Sequence, residues 1–469
     1  MRLDPRRSAY LVAALLAASF SYDLLRMPIQ VSDSLSLLLD AQGSPSPWST
    51  FVFWGLRGKL LRPMFYTQVK VLFDLADGHY WLVYRGFHAL LLTAAIFLFT
   101  RALRVRTWTD FAAAVFALTV LTGLHTFRGT VREAFAINHF LEVVVLCLGT
   151  LNLAQSRGGW LIDVALAVVF VIASLTLESG LLVWVIAVVA WASGMPGVSR
   201  RGVMAVTALL ALYFIVRFVL INVALEERSS GFLTEMLEPD EIKRRFGANL
   251  IWFHVYNVAT SFLSVLFSDP DGGVFEVARA WRQGDVPPRL YVAVASSFLT
   301  TPLIAWTVVR AHRYPSVPID HRRHFITVFA AVLLASAAMS YSYTKHEILS
   351  TAGTFYALAV FVAVQYTTTY LLEVRAGLTR AVLCITLVAA ASLWALRSAG
   401  VHHMLRVQAF KHRSDWARVS DTAYQEPNWS VERRANASGL VRQLRDEAFQ
   451  MQVVNPYLLP RWADRWWGE

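Results

Sequence analysis

Residues 160–192 read WLIDVALAVVFVIASLTLESGLLVWVIAVVAWA, and the fold turns on this stretch. On either side of Glu178 stands an apolar run near the length of about 20 residues that a helix needs to cross a bilayer. Almost no loop separates the two. The pattern recurs outward in both directions. Runs at 8–25, 85–103, 108–125, 134–154, 159–177, 178–195, 202–224, 290–309, 324–343, 351–371 and 379–398 predict about eleven transmembrane helices, hence an all-α, polytopic integral membrane protein. Of the 469 residues 56% are hydrophobic and 16% charged, with the charges gathered between the runs. A bilayer imposes this, because each helix must close its own backbone hydrogen bonds and charges must stay near water.

A formal charge of +11 would suggest nucleic acid for a soluble chain. Here many arginines flank the runs and set orientation, so no nucleic-acid partner is expected. Cys147 and Cys384 lie inside apolar runs and offer neither a disulfide framework nor paired metal ligands. Met1 to Arg7 and the run from Ser8 look like a signal peptide, yet Tyr22, Asp23 and Arg26 follow without a small-x-small cleavage site. The expectation is an uncleaved first span, in the cytoplasmic (inner) membrane of a cell envelope.

Short basic loops face the cytoplasm. Arg2, Arg6 and Arg7, then Arg101, Arg104 and Arg106, then Arg157, then Arg200 and Arg201 share that side if every run up to 224 crosses once. A twelfth apolar stretch, 249–268, decides the remainder. It carries His254, Asn257 and Ser261 and ends at Asp269-Pro270-Asp271-Gly272-Gly273, a pattern open to spanning, lying at the interface or re-entering. Arg310, Arg313, Arg322 and Arg323, then Arg375 and Arg380, join the basic side only if it does not cross.

On that topology the N-terminus is cytoplasmic and residues 1–398 form the transmembrane domain. The loop 26–84, the turn 125–133, the region 225–289 with its re-entrant or interfacial stretch, the loop 344–350 and the C-terminal tail 399–469 are then extracytoplasmic. Loop 26–84, broken at Gly43-Ser44-Pro45-Ser46-Pro47, predicts two interfacial amphipathic helices. The tail, with Trp416, Trp429, Trp462, Trp466 and Trp467 among many charges, predicts a small helical appendage near the headgroups.

The charges left on the extracytoplasmic side are the candidates for chemistry. Asp33 follows the first span, and Asp40 lies seven residues on, near the same helical face. A carboxylate beside the bilayer suits a general base toward a hydroxyl; a solvated loop acid or a helix cap is the plainer reading. Asp23 is the alternate to Asp33. Arg62-Pro63 sets a cation at a helix start, able to hold a phosphate in bidentate fashion or to snorkel to the headgroups. Glu178 is expensive between two apolar runs unless it faces a cavity or a partner, the alternative being a hairpin-turn acid at the interface. Arg217, inside a run near its outer end, is a further phosphate or carboxylate partner. Arg128 and Arg132 stand against the orientation bias and hint at an anionic ligand. His139 and Glu142 lie within the fourth run and read as a structural pair at helical spacing. Lys345-His346-Glu347 forms a polar loop suited to gripping phosphate, or a solvated turn. No Walker loop, dinucleotide fingerprint, HExxH or G-x-S-x-G is present.

In this order the features resemble the GT-C superfamily of polyprenyl-phosphate-dependent membrane glycosyltransferases. An early acidic residue (Asp33) follows the first span. An Arg-Pro segment then leads to Phe87-His88-Ala89-Leu90-Leu91, similar to the family's RP...N/H-LL stretch, and Leu175-Thr176-Leu177-Glu178-Ser179-Gly180 looks like its S-K-E-x turn. The layout covers most of residues 1–370. Leu177 stands where a Lys is frequent, and the first loop lacks the paired Asp-Glu of many members.

The resemblance implies an inverting transfer of a sugar from a polyprenyl-phosphate donor to a glycan, lipid or protein acceptor. Asp33 would be the catalytic acid or base, with Asp40 and Glu178 beside it. Arg62, Arg128, Arg132, Arg217, Lys345 and His346 would bind the donor phosphate. Some relatives use a divalent cation and others do not, and Asp33, Asp40 and Glu178 leave that open. The rival reading is a transporter or flippase of a lipid-linked or anionic substrate, motivated by the intramembrane charges.

Overall fold

The computed structural model describes residues 4–453 except 57–60, 133–135, 222–237, 248, 268–273, 314–322 and 374–376, together with 455 and 466. Of the residues singled out above, Arg2, Glu133, the break at 269–273, Arg322, Arg375, Trp462 and Trp467 lie outside the described ones.

Each apolar run becomes a helix, and several have recognisable start signals. α1 (Pro5–Leu24) has Pro5 in its first turn and Asp4 as N-cap, whose carboxylate accepts the Arg6 N–H at 3.2 Å. The first loop then folds as α2 (Ser32–Gly43), α3 (Pro47–Leu56) and α4 (Pro63–Ala76), three helices where the sequence suggests two. α5 (Tyr80–Leu103) leads to α6 (Trp108–Gly123), which opens on a capping box between Thr107 and Asp110. α7 (His125–Arg132) is a short helix before α8 (His139–Ala154), capped by Asn138. α9 (Trp160–Thr176) ends at a single 3-10 turn, Glu178–Leu181, that reverses the chain into α10 (Leu182–Ala192). α11 (Arg200–Phe214) continues into a π-helical turn, Ile215–Leu220.

α12 (Pro239–Phe246) and α13 (Ile251–Phe267) are bent against each other by 76°, and α14 (Val274–Gln283) follows. α15 (Pro288–Arg313), α16 (Arg323–Met339), a 3-10 turn at Glu347–Leu349, α17 (Ser350–Glu373), α18 (Leu378–Trp416) and α19 (Val431–Gln450) complete the chain.

These are the helices of a multi-pass membrane protein. Among the described residues five are long and apolar enough to cross a bilayer, or six if the bent α12–α13 pair counts as one span. Several of the other apolar runs give helices of 16 or 17 residues, below that length. α17 is the central pillar, buried along nearly its whole length, with every residue from Phe355 to Val364 at most 4% exposed. Leu11, Leu15, Val382 and Ile385, by contrast, point out of the bundle, as suits a lipid-facing surface.

Contacts between helix tips sort the bundle into two ends. At one, Gln365 donates to Asp110 at 2.8 Å, Ser199 to Asp163 at 2.7 Å and Arg310 to the Tyr370 hydroxyl at 3.0 Å. At the other, Arg217 reaches Glu178, Arg397 donates to the Gly123 carbonyl at 3.0 Å, and Asp23 meets His402 at 2.6 Å. Arg289, at the start of α15, is at this second end too, where it shares a small cavity with Gly123, His125 and Arg397. Arg217 and Arg289 thus stand at the same end of the bundle. Along α13, Asn257 donates to the Tyr341 carbonyl at 3.0 Å, Ser261 pairs with Thr344 at 2.6 Å and Ser264 with His125 at 3.0 Å. All three partners belong to the same end, so the polar stripe that made the stretch ambiguous is spent on holding it there.

α18 runs unbroken through residue 398, and the tail begins inside it. Trp416 donates to the Ile29 carbonyl at 2.7 Å, and α19 shares a second hydrophobic core with α2, α4 and α5 built from Leu35, Leu38, Val69, Tyr84, Leu440 and Leu444.

Candidate functional site

Three segments far apart in sequence bring their charges together at the Glu178 end. Arg62 is the residue before Pro63 at the start of α4, where the ring fixes the helix entry and leaves the guanidinium projecting past it. Glu178 heads the 3-10 turn between α9 and α10. Gly180 makes that turn possible, because a methyl there would land on the backbone carbonyl of Ala173. Arg217 sits in the π-helical turn, whose wider winding shifts the register of the last residues of α11.

Arg62 donates through Nε at 2.9 Å and Nη2 at 2.5 Å to Oε2 of Glu178. Arg217 Nη1 donates to Oε1 at 3.1 Å and to the Tyr213 hydroxyl at 2.6 Å. Two guanidiniums on one carboxylate leave a net positive charge, and the cluster is not sealed: the side chains of Arg62 and Glu178 are 22% and 27% exposed, while that of Arg217 is 10%. Beside it, His139 stands edge-on to Phe65 with ring centroids 4.8 Å apart, and Gln68 of α4 donates to Glu142 at 2.7 Å. Glu142 and His139 are thus engaged by α4, not by each other alone.

A second group forms where α7 presses on the loop before α17. Arg132 lies 3.9 Å from Glu347, the rings of His125 and His346 meet edge to face, and a methyl on Gly129 would meet both His346 and Glu347. Lys345 is exposed, with its ammonium 5.2 Å from the Tyr343 ring centroid. Arg128 lines the small cavity shared by Gly123, His125 and Arg289.

The aspartates of α2 stand elsewhere. Asp33 is exposed in the first turn, and among the described residues only its backbone carbonyl is engaged, by the Ser36 hydroxyl at 2.9 Å. Asp40 lines a groove of about 360 Å³ with Ser44, Thr50, Trp54, Tyr66 and Arg433. The enclosing walls push its carboxyl above the ordinary carboxylate value, against the pull of Arg433. Asp23, the alternate, is 4% exposed and locked to His402 and Arg406, so it ties α1 to α18.

The structure thus joins Arg62, Glu178 and Arg217 directly, joins Arg132 and His346 in a neighbouring group, and keeps Asp33 and Asp40 on a separate helix. Tyr213 is the member the sequence did not reveal, since one hydroxyl in an apolar run carries no signal. Among the described residues no three His, Cys, Asp or Glu side chains are grouped to hold a metal ion. No family model and no curated protein matches the chain.

Proposed function

We propose that this chain is a membrane glycosyltransferase of GT-C type, moving a sugar from a polyprenyl-phosphate donor to an acceptor at the Glu178 end. The observation that carries this reading is the convergence of Arg62, Glu178 and Arg217 on a partly open, net positive cluster. A polyprenyl phosphate is already dissolved in the membrane and carries the activation energy in its sugar–phosphate bond, so no nucleotide site is needed.

In the reaction the acceptor oxygen bonds to the anomeric carbon as the carbon–oxygen bond to phosphate breaks, and the electron pair leaves on the phosphate. Arg62 and Arg217 stabilise that charge. Glu178, held by both, positions them. Asp33 stands on a separate helix, so in this reading it takes the acceptor proton only when the bound acceptor reaches from the cluster to α2. Arg101, Arg104, Arg106, Arg200 and Arg201 lie at the opposite end, which makes that end cytoplasmic and the Glu178 end extracytoplasmic. The eleven apolar helices each cross once in this reading, with α12 to α14 resting at the outer face.

The test is transfer from a labelled polyprenyl-phosphate sugar in proteoliposomes. Arg217→Ala is expected to lower transfer by about 100-fold or more while the protein still inserts. Asp33→Asn is expected to abolish it. Full activity in both variants would sink the proposal, and movement of the labelled lipid across the vesicle without sugar transfer would establish a flippase instead.

A further inference from the structure

The opposite end of the bundle holds a cavity of about 310 Å³ that the transfer reaction does not use. It lies between the start of α1 and the end of α5, lined by Arg6, Ala9, Tyr10, Thr100, Arg101, Arg104, Val105 and Arg106. Four of the eight lining residues are arginines and none is acidic. The nearest carboxylates are engaged elsewhere. Asp4 caps α1 and lies 3.9 Å from Arg7, while Asp110 accepts the backbone N–H groups of Arg106 and Thr107 and the amide of Gln365.

The walls are fixed. Tyr10 stacks on Phe97 of α5 with ring centroids 6.1 Å apart. Arg104 is in the left-handed region, φ 48°, and donates to the Gln155 carbonyl, so α5 ends by turning this side chain across the cavity toward α8. Burial, and then repulsion from Arg106 and Arg101, lower the affinity of the Arg104 guanidinium for its proton. The orientation rule accounts for arginines at this end, and the dipole of α5 favours cations at its last turn. Neither requires four of them around one concavity, where an anion would offset a mutual repulsion that water only partly screens.

We propose that this cavity binds the phosphate of an anionic phospholipid headgroup. Guanidinium forks match phosphate oxygens in bidentate fashion, and the hydroxyl of Tyr10 supplies a neutral donor. The volume falls at the lower end of the range for small-ligand sites, enough for a glycerophosphate group with its acyl chains outside. Leu11 and Leu15, exposed on the same helix, provide an apolar surface beside the cavity.

Native mass spectrometry of the full chain in detergent, with phosphatidylglycerol or phosphatidylcholine added, tests the assignment. The wild type is expected to retain phosphatidylglycerol in preference to phosphatidylcholine. Arg101→Gln with Arg106→Gln is expected to weaken that retention by about tenfold, and the paired Arg→Lys changes by less, since charge survives but the fork does not. Arg200→Gln with Arg201→Gln, at the same end of the bundle but outside the cavity, is expected to change nothing. Equal losses in the two Gln pairs, or no preference between the lipids, overturns the site. Displacement of the lipid by sub-millimolar inorganic phosphate assigns the cavity to a soluble phosphate and overturns the lipid. Melting temperatures of all variants guard against misfolding.

Discussion

Glu178 satisfies two arginines at once, and one of them is largely withdrawn from solvent. Removing the charge with Glu178→Gln leaves Arg217 without its carboxylate, a loss of about 2 kcal/mol or more after allowing for the cluster's partial exposure. A clear fall in melting temperature in detergent checks this; an unchanged melting point would mean that the pair contributes nothing. Gly180→Ala is expected to be more damaging, because its methyl meets backbone that cannot swing away. Loss of monodisperse protein on size exclusion, beside a normal Ser179→Ala control, is the expected result. That Glu178 needs a cavity or a partner was legible in the sequence, because a carboxylate between two apolar runs is expensive alone; which of the cations Arg62, Arg128, Arg132, Arg217 and Lys345 would meet it was not. Asp33 and Asp40 were legible only as acids in a loop. Whether an exposed helix turns an acid toward a site depends on tertiary packing that a heptad of spacing does not encode.

At the scale of elements, the apolar helices were readable because the bilayer enforces length and composition together. The first loop was less so. Its segments are short and half-polar, and Arg62-Pro63 marks the start of a third helix that periodicity alone had merged with its neighbours. The run of α18 through residue 398 was hidden for another reason: the change from apolar to polar residues there marks a change of solvent, and the helix ignores it.

The docking of α19 also carries a pH dependence. Glu447 accepts the Trp81 N–H at 2.9 Å, yet burial raises its carboxyl above the ordinary value of 4.5, and Asp40 on α2 is raised as well. For an acid raised in the folded state, the stabilising contribution is complete below the unfolded value and lost as pH climbs through the folded one. The contact of α19 with α5 is therefore expected to loosen as pH rises from about 4.5. Glu447→Gln keeps the acceptor and removes the titration. Hydrogen exchange in 431–450 should slow in the variant at neutral pH and match wild type near pH 4; a pH-independent wild type would refute the linkage.

For the whole molecule, the alternation of tip contacts gives the proposed topology a direct test. After Cys147 and Cys384 are replaced, single cysteines at Arg244, Gly284 and Lys345 are expected to react with an impermeant thiol reagent from one side of the membrane, and one at Arg201 from the other. Labelling of Gly284 and Lys345 from opposite sides would overturn the reading that 249–268 makes no net crossing. In the sequence that reading rests on requiring the later arginines to sit with the earlier ones.

The contacts between α2 and α19 also set an order of events in biosynthesis. Gln42 donates to the Asn436 carbonyl across 394 residues and Trp416 to Ile29 across 387, so α2, made early, waits for α18 and α19. Until α19 arrives, the face of α2 bearing Leu35, Leu38 and Leu39 has lost part of its cover. A nascent or truncated chain lacking α19 then carries an adhesive platform, a ready substrate for a holding chaperone or a protease.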